Sequence, residues 1–459
     1  MSFFEERPQG STPAIYEAAA SRWRTYADLY DAIEEWAGRF RSNSKPLILS
    51  FSRNDVASVA VYLAALESGS VVALLPDNLA TEFQAGLIAA YRPEFVFDST
   101  LSADYGSHYQ RDSSKLGLWR IRVPVEAPAI NPQLSLLLAT SGTTGNPKFV
   151  RLSLHNVRVN AHAIAEALKI DSSGRAIASL PLHYSYGLSV LNSHLIQGAS
   201  VALTNEGLVS ADFWRVVREQ QCNSFAGVPY SYQMLDRLSL ERLDVPALMT
   251  LTQAGGKLSS LLIEKFHQSM ATRGGRFFTM YGQTEATARI AILPSDLLPR
   301  KLGSVGFPIA GGSVEIGSGG EIIYSGPNVM LGYAECREDL ALGDTQGGLL
   351  HTGDLGRLDE EGCLWVTGRL RREAKVFGLR LNLDDLEEIV REYGPAAIIG
   401  APDSLRIYCE FHESLFARCR DQLGGKLRIH AGAFEFFHVD HLPTTSAGKI
   451  DYRALEAKR

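Results

Sequence analysis

The sequence predicts an α/β protein, with a large N-terminal domain of helix-covered, mainly parallel β-sheets that includes a β-rich subdomain, and a small α+β C-terminal domain. Two observations predict this fold class. From about residue 25, helix-like segments such as TYADLYDAIEEWAGRF alternate with short apolar runs such as KPLILSFS, and this alternation is typical of parallel sheets covered by helices. From about residue 303, short strands with frequent glycine replace it, which indicates a compact β-rich subdomain.

The alternation continues along the chain in order. Two helix–strand pairs come next, DVASVAVYLAALESG with SVVALLP and FQAGLIAAYRP with EFVFDS. After residue 153 the predicted helices are LHNVRVNAHAIAEALKI, LSVLNSHLIQG and SADFWRVVREQQ, and the predicted strands are RAIASLPL, ASVALTN and NSFAGVP. Such units build two or three layers of doubly wound sheet.

The C-terminal part begins with the most charged segment of the chain. A predicted strand pair, GLLHTGDLGRLDEEGCLWVTGR, precedes GRLRREAKVFGLRLNLDDLEEIVREYG, in which a basic loop runs into an amphipathic helix opened by Asn382 or Asp384. Because 459 residues exceed the usual size of one domain, we place a boundary near Leu370. The predicted domains are residues 1–370 and 371–459.

Composition excludes several classes of protein. The chain has 45 Lys and Arg against 51 Asp and Glu, and this net charge of −6 gives no general attraction to nucleic acid or acidic membranes. The five cysteines lack the close pairs of zinc or redox sites and fit a reducing compartment. The N-terminus lacks the apolar core of a signal peptide, and the most apolar stretch is too interrupted to span a membrane. We therefore expect a soluble, cytoplasmic protein with no nucleic-acid partner and no membrane span.

The segment LATSGTTGNPKFV, residues 138–150, is typical of an anion-binding loop. Glycines let the backbone approach a ligand closely, and hydroxyl and N–H groups donate hydrogen bonds to phosphate oxygens. The Walker loop of kinases does not match, because Gly142 and Gly145 are too close together and Lys148 is followed by Phe149. Taken alone, the segment is better explained as a surface turn between two elements.

Three further segments favour a nucleotide site. YGQTEAT (281–287) places a hydroxyl beside a carboxylate, HTGDLGRL (351–358) holds an acid in a tight turn, and LPTTSAGKID (442–451) carries a lysine near its end. One site built from all four segments would contain phosphate donors, a carboxylate for Mg²⁺, an acceptor for ribose hydroxyls and a mobile cation.

Together the four segments resemble the AMP-forming adenylating superfamily, which includes acyl-CoA synthetases, the adenylation domains of peptide synthetases and beetle luciferases. The resemblance runs from TYADL to GKIDYRAL and keeps the motifs in the family's order. It implies a two-step reaction: a carboxylate attacks the α-phosphate of ATP to give an acyl-adenylate and pyrophosphate, and a thiol then displaces AMP. Because one anion must approach another, catalysis would consist mainly of charge neutralisation and positioning.

The resemblance also implies roles for individual residues. Thr284 would hydrogen-bond the α-phosphate, Glu285 would hold Mg²⁺, and Lys449 would bridge the attacking carboxylate and the α-phosphate. Tyr281 would lie against the adenine, and Asp354 would accept the ribose hydroxyls. The remaining nucleotide contacts would come from the phosphate loop (Thr140, Ser141, Gly142, Thr143, Thr144, Gly145 and Lys148), a turn beside the adenine (Gly255 and Gly256) and Arg369. Any one of these residues alone could have a structural role, so the interpretation depends on their joint occurrence.

The basic run after Leu370 matches the family's hinge, about which the small C-terminal domain rotates between the two steps. Arg371 matches the hinge position, Gly378 would line the thiol channel, and Lys375 would serve the second step or the adenylate. The positive charge would suit either the 3′-phosphate of CoA or the acidic surface of a carrier protein. A solvated cluster of charges is the structural alternative.

The substrate is expected to be a carboxylic acid other than an α-amino acid. Family members that activate amino acids carry an aspartate for the amino group, whereas no acidic residue occurs from Leu180 to Leu195, and a buried ammonium without a counter-charge is unfavourable. The residues matching the acyl pocket suit an aliphatic, hydroxylated or aromatic acid. They are His183, Tyr184 at the gating position, Phe225, Val228 and Ala254.

The acceptor thiol stays open between CoA and the phosphopantetheine arm of an acyl carrier protein. The C-terminal domain is short for the family, which favours the carrier protein. Two alternatives lie outside this class: a non-catalytic nucleotide-binding protein that keeps the fold, and an adenylate-forming enzyme that makes no thioester. The first is disfavoured because Glu285, Asp354 and Lys449 are all present.

Overall fold

The computed structural model describes residues 2–42, 44–101, 104–114, 117–123, 126–139, 148–369, 373–443 and 452–456. These residues form two compact units, one up to Thr367 and one from Gly368. Each unit has its own hydrophobic core. Within these ranges, no helix is both long enough and apolar enough to cross a lipid bilayer.

The strands and helices alternate over most of the first unit. In chain order the strands are β1 (Pro13–Glu17), β2 (Arg22–Thr25), β3 (Leu47–Ser52), β4 (Val71–Pro76), β5 (Phe95–Asp98), β6 (Tyr109–Arg111), β7 (Leu118–Ile121), β8 (Leu134–Ala139), β9 (Phe149–Ser153), β10 (Arg175–Ala178), β11 (Ser200–Leu203), β12 (Ser224–Gly227), β13 (Thr250–Gln253), β14 (Arg276–Tyr281), β15 (Ala291–Leu293), β16 (Phe307–Pro308), β17 (Ser313–Ile316), β18 (Glu321–Ser325), β19 (Gly332–Ala334), β20 (Leu349–Leu358), β21 (Leu364–Arg369), β22 (Glu373–Val376), β23 (Leu379–Asn382), β24 (Ala396–Ala401), β25 (Ser404–Cys409) and β26 (Phe434–His438). The helices are α1 (Tyr26–Phe40), α2 (Val56–Glu67), α3 (Thr81–Tyr91), α4 (Leu154–Leu168), α5 (Ser185–Leu195), α6 (Ala211–Glu219), α7 (Pro229–Leu238), α8 (Ser260–Thr272), α9 (Leu383–Arg391), α10 (Phe416–Leu427) and α11 (Tyr452–Glu456).

Two large sheets dominate the first unit. One has the strand order β19-β9-β8-β4-β3-β5-β7-β6, with β8, β4, β3 and β5 parallel. The other has the order β16-β15-β14-β13-β12-β10-β11-β1-β2, parallel from β14 through β1. Helix α2 is apolar on all sides and buried along most of its length, because it contributes to a core that also includes side chains from both sheets.

A smaller antiparallel sheet, with the strand order β17-β18-β20-β21, forms the β-rich part of the first unit. In the second unit, β22 and β23 form a hairpin, and β24, β25 and β26 form a sheet. The predicted fold class is confirmed. The predicted hinge residue, Arg371, lies outside the described residues.

Helix α5 begins three residues earlier than the sequence pattern indicates, at Ser185 instead of Leu188. Its entry is fixed by a turn in which the Tyr184 N–H donates to the Pro181 carbonyl at 3.1 Å. The small and aromatic residues of this first turn obscure the helical pattern in the sequence. The earlier start brings Ser185 and Tyr186 into the helix, beside the candidate site.

Candidate active site

Neighbouring parallel strands bring several of the predicted site residues to one edge of a sheet. Strands β10, β12, β13 and β14 are adjacent and parallel, so their carboxyl ends meet at one edge of the sheet. The segments that leave this edge carry Tyr184, Val228, Ala254 and Tyr281. A crevice at the carboxyl ends of parallel strands is the usual ligand site of such sheets.

A hydrogen bond joins two of the predicted nucleotide motifs. The Tyr281 hydroxyl donates to Asp354 Oδ2 at 2.5 Å, across 73 residues of sequence. Asp354 is 2% exposed, and its backbone N–H donates to Thr352 Oγ1 at 3.1 Å. The end of β14 and the middle of β20 therefore form one surface, with the aromatic ring and the carboxylate side by side.

A second tyrosine joins the phosphate-loop lysine to the predicted Mg²⁺ ligand. The Tyr333 hydroxyl donates to Glu285 Oε1 at 3.0 Å, and Lys148 Nζ lies 3.7 Å from the centre of the Tyr333 ring. Lys148 also lies 3.8 Å from the Glu335 carboxylate. The chain thus places a cation, an aromatic ring and a carboxylate in a row, and the cation is the first described residue after the phosphate loop in sequence.

The YGQTE turn is folded tightly against the segment that follows it. Thr284 begins a short 3₁₀ turn, and its hydroxyl lies 3.2 Å from that of Ser185. Gly282 packs directly on backbone, because a Cβ atom there would lie 2.0 Å from the Ala288 carbonyl oxygen. Glycine is therefore required for the approach that presents Thr284 and Glu285 at the site.

The predicted acyl-pocket residues do not all share one surface. Tyr184, Val228 and Ala254 pack in one apolar cluster, to which Ala226 also belongs. Phe225 instead packs on Trp214 and Tyr232 in a different cluster. Successive side chains of a strand point to opposite faces, so Ala226 occupies the pocket face of β12 and Phe225 the core face. The assignment of Phe225 to the pocket is corrected on this ground.

His183 is held in its neutral form. Burial lowers its pKa to about 4, against an opposing effect of Asp77. Its Nδ1 is buried without a hydrogen-bond partner in the described structure. A neutral imidazole at this position can donate a hydrogen bond to a substrate or accept one from it, but it supplies no charge.

The turn beside the predicted adenine site is fixed by a buried glutamine. Gln253 Nε2 donates to the carbonyls of Gly256 at 2.7 Å and Ala254 at 3.3 Å. Gly255 has a φ of 79°, in the left-handed region that favours glycine. This turn follows β13 directly and so lies at the same sheet edge as Tyr281.

The roles assigned to the remaining residues stay predictions. Lys375 in β22 and Gly378, in the turn between β22 and β23 with a φ of 85°, belong to the second unit. Arg369 ends β21, and its side chain is outside what the structure describes. Also outside the described residues are Thr140, Ser141, Gly142, Thr143, Thr144, Gly145, Arg371 and Lys449.

Comparison with known proteins identifies the family. The profile of the AMP-binding enzyme family matches residues 4–334. The chain belongs to this family of AMP-binding enzymes. The predicted superfamily, and with it the class of AMP-forming acid:thiol ligases, is confirmed.

Individual relatives agree with this family. The 2-succinylbenzoate–CoA ligase of Bacillus subtilis is 29% identical over 73% of this chain and 71% of its own, and the oxalate–CoA ligase of Arabidopsis thaliana is 27% identical over 94% and 92%. A structure of the o-succinylbenzoate coenzyme A synthetase from Bacillus subtilis, in complex with ATP and magnesium ion, is 25% identical with a TM-score of 0.66 and covers 97% of each chain.

Sequence reasoning missed two residues of this AMP-binding enzyme that the structure brings against predicted site residues. Tyr333 lies in a glycine-rich stretch whose pattern indicates only short strands. Arg289 follows the YGQTEAT motif closely, yet it is 2% exposed. Since arginine is usually exposed, only its position two residues beyond that motif could have drawn attention to it.

Replacing Gly282 by alanine should damage both the fold and the activity of this enzyme. The new Cβ would overlap backbone at 2.0 Å, which costs about 1–3 kcal/mol of stability and displaces Thr284 and Glu285. We expect Gly282→Ala to have a lower melting temperature and a reduced acid-dependent ATP–pyrophosphate exchange rate. Gly38→Ala, in helix α1 with nothing within 4 Å of the new Cβ, is the matched control and should melt no lower than wild type. Wild-type melting and activity in Gly282→Ala would contradict the packing described.

Two histidines whose pKa values are lowered in the folded chain should make the protein less stable in mild acid. Burial lowers the pKa of His183 and of His194 from 6.5 to about 4, so between these pH values the unfolded chain binds more protons than the folded one. Stability must then fall as the pH is lowered through this window. The melting temperature, measured from pH 7 to pH 4.5, should fall less steeply in His183→Gln/His194→Gln than in wild type. Equal slopes would show that folding does not lower the pKa values of these two histidines.

Proposed function

We propose that the protein is an acid:CoA ligase that uses ATP and Mg²⁺ to activate a carboxylic acid without an α-amino group. The acid becomes an acyl-adenylate with release of pyrophosphate, and the acyl group then passes to the thiol of CoA with release of AMP. The observation that carries the proposal is the convergence of Lys148, Glu285 and Asp354 through the two tyrosines, Tyr333 and Tyr281. These residues come from separate parts of the sequence and supply the groups that a nucleotide requires.

Asp354 and Tyr281 would hold the nucleoside. A carboxylate has about four lone-pair positions, so Asp354 can accept ribose hydroxyls while Tyr281 donates to its Oδ2. The Tyr281 ring offers an aromatic face to the adenine, next to the turn that contains Gly255 and Gly256. Arg369 would add a donor near the ribose or the phosphates.

The charged end of the site suits Mg²⁺ bound together with ATP. Magnesium is commonly held by one or two carboxylates plus substrate phosphates and water, and Glu285 supplies a carboxylate oriented by Tyr333. The described residues include no group of three or more side chains that could hold a metal ion without a substrate. The ion would neutralise phosphate charge as the acid approaches.

The remaining cations and hydroxyls would bind the phosphates. Lys148 would face the leaving pyrophosphate together with the loop Thr140, Ser141, Gly142, Thr143, Thr144 and Gly145. Thr284, whose hydroxyl is oriented by Ser185, would bind the α-phosphate. Lys449 would pair with both the attacking carboxylate and the α-phosphate, and Arg371, Lys375 and Gly378 would serve the hinge and the thioester step.

The names of the relatives favour CoA over a carrier protein as the acceptor. Both curated relatives described above are named as CoA ligases, and the acids in their names, 2-succinylbenzoate and oxalate, lack an α-amino group. The segment from Leu180 to Leu195 of this chain contains no acidic residue that could pair with a substrate ammonium.

We also propose the cytoplasm as the location of the enzyme. All five cysteines are free thiols, and four of them are buried: Cys222, Cys363, Cys409 and Cys419. Burial raises the pKa of each of these four thiols, so they would be unreactive. A reducing compartment, in which ATP and CoA are available, suits this state.

The proposal is tested by acid-dependent exchange of labelled pyrophosphate into ATP, followed by analysis of the acyl product with CoA or with a phosphopantetheinylated carrier protein. Glu285→Gln should lower the exchange rate by about 100-fold or more, because one charged ligand of the nucleotide complex is lost. Glu360→Gln makes the same substitution at an exposed carboxylate in the β20–β21 turn. This variant is the matched control and should behave as wild type.

Exchange with at least one acid, and an acyl-CoA product, are the expected results. Acyl transfer to the carrier protein alone would overturn the choice of CoA. No exchange with any acid of a fatty, hydroxy, aryl and dicarboxylic panel, in a protein that binds ATP, would contradict the proposed function.

A further inference from the structure

Three arginines of the first unit are buried almost completely. Arg151, Arg289 and Arg337 are 0%, 2% and 4% exposed. A guanidinium carries five N–H donors and stays charged, so burial is tolerated only where acceptors or a counter-charge replace water. The three arginines can therefore be compared by the hydrogen-bond acceptors and counter-charges that surround each guanidinium.

Arg151 and Arg337 are well provided with partners. Arg151 donates to the carbonyls of Tyr333 at 2.9 Å, Leu331 at 3.0 Å and Gly343 at 3.1 Å, and also to that of Leu342. Arg337 forms a two-pronged ion pair with Glu94, at 2.6 and 3.1 Å. Both guanidinium groups have the surroundings expected of structural arginines.

Arg289 lacks comparable partners. Its hydrogen bonds are long: one to Ser189 Oγ at 3.3 Å and one to the Ala288 carbonyl at 3.5 Å. Its Nε is buried without an acceptor, as is that of Arg337, which however has the Glu94 carboxylate as its counter-charge. No carboxylate of the described residues forms an ion pair with it, and the titratable groups beside it are the phenols of Tyr184 and Tyr186, whose pKa values burial raises so that they stay neutral. The chain thus buries a cation whose strongest partner is an aromatic ring.

The surroundings of Arg289 hold it in a fixed position. Asn160 and Asn328 donate to its backbone carbonyl at 3.0 and 2.9 Å. The guanidinium lies 4.6 Å from the centre of the Tyr186 ring, and the Tyr186 hydroxyl lies 2.8 Å from Thr252 Oγ1. A charge held in this way needs little reorganisation to bind an anion, which favours a binding role.

Arg289 also lies beside the proposed acyl pocket. Tyr186 packs in the same apolar cluster as Tyr184, Val228 and Ala254. Ser189, the hydrogen-bond partner of Arg289, is one helical turn along α5 from Ser185, which contacts Thr284. Four residues of helix correspond to a rise of about 6 Å, so the guanidinium is within the length of a short acid from the proposed site of the reaction.

We propose that Arg289 binds a second carboxylate of the acid substrate, so that the enzyme activates dicarboxylic acids. The inference rests on the proposed function and specifies its substrate class. A carboxylate can accept two parallel hydrogen bonds from a guanidinium. The second carboxylate of the substrate would therefore give Arg289 the acceptors and the counter-charge that its described neighbours do not provide. The first carboxylate would remain available to attack the α-phosphate.

Matched pairs of acids test this proposal. Glutarate with pentanoate, adipate with hexanoate, and phthalate with 2-methylbenzoate each differ by the replacement of one carboxylate with a methyl group. In the exchange assay, wild type should prefer the diacid of at least one pair by about 100-fold or more in kcat/KM, since a buried charge pair is lost with the monoacid. Arg289→Gln should lose this preference, and Arg289→Lys should recover part of it.

Two controls separate recognition from folding. Arg337→Gln also removes a buried arginine, but from a pair with Glu94, and should lower the melting temperature without changing the diacid preference. Binding of the acids without ATP, measured by thermal shift at constant ionic strength, should stabilise wild type with the diacid and not with its monoacid partner. Arg289→Gln should lose that difference even if its own melting temperature is lower.

The outcomes are distinguishable from failure of the proposed function. Exchange with monoacids at rates equal to the diacids, or an equal loss of both in Arg289→Gln, would overturn the inference while leaving the ligase activity established. Stabilisation by chloride or sulfate equal to that by the diacid would assign Arg289 to an inorganic anion and would also overturn it. If no acid supports exchange, the proposed function fails. The role of Arg289 is then judged by the thermal-shift measurement alone, and equal stabilisation of wild type by a diacid and its monoacid partner would reject it.

Discussion

The geometry of the site depends on one buried cation, Arg151. Its guanidinium donates to carbonyls at both ends of the segment 331–343 and so ties this segment to β9, with which β19 also pairs. Strand β9 begins directly after Lys148, and β19 contains Tyr333. The lysine at the end of the phosphate loop is thereby brought against the Tyr333 ring, and the same tyrosine orients Glu285. A polar interaction inside the first unit thus fixes where a cation and a carboxylate can meet a nucleotide.

The second constraint is the parallel sheet. Adjacent parallel strands end at one edge, so segments that are 25 to 50 residues apart in sequence arrive at the same crevice. The Tyr281–Asp354 hydrogen bond then attaches the β-rich part of the unit to that crevice. Polar groups fixed in this way before a ligand arrives are suited to a reaction in which two anions must be brought together, because little reorganisation is left to be done.

The sequence predicted the sheet layers and the nucleotide motifs because both depend on local pattern. Apolar periodicity indicated the helices, and the glycine, hydroxyl and acid spacing indicated the YGQTEAT and HTGDL segments. Burial of polar residues depends on tertiary packing and left no such signal: Arg151 and Arg289 resemble surface arginines in the sequence, and Tyr333 resembles a strand residue. Phe225 was misassigned because a strand of four residues, SFAG, gives no indication of which alternate side chains face the pocket.

The central claim is that two tyrosines hold three motifs together as one ATP site, and the most direct test is the dissociation constant of MgATP measured by calorimetry. Tyr281→Phe and Tyr333→Phe each remove one hydrogen bond to a carboxylate while keeping the ring, so each should weaken binding by about 5- to 30-fold. Tyr109→Phe removes a hydroxyl bonded to the Pro93 carbonyl, in β6, and should leave the constant unchanged. Wild-type affinity in both Tyr281→Phe and Tyr333→Phe would contradict the account.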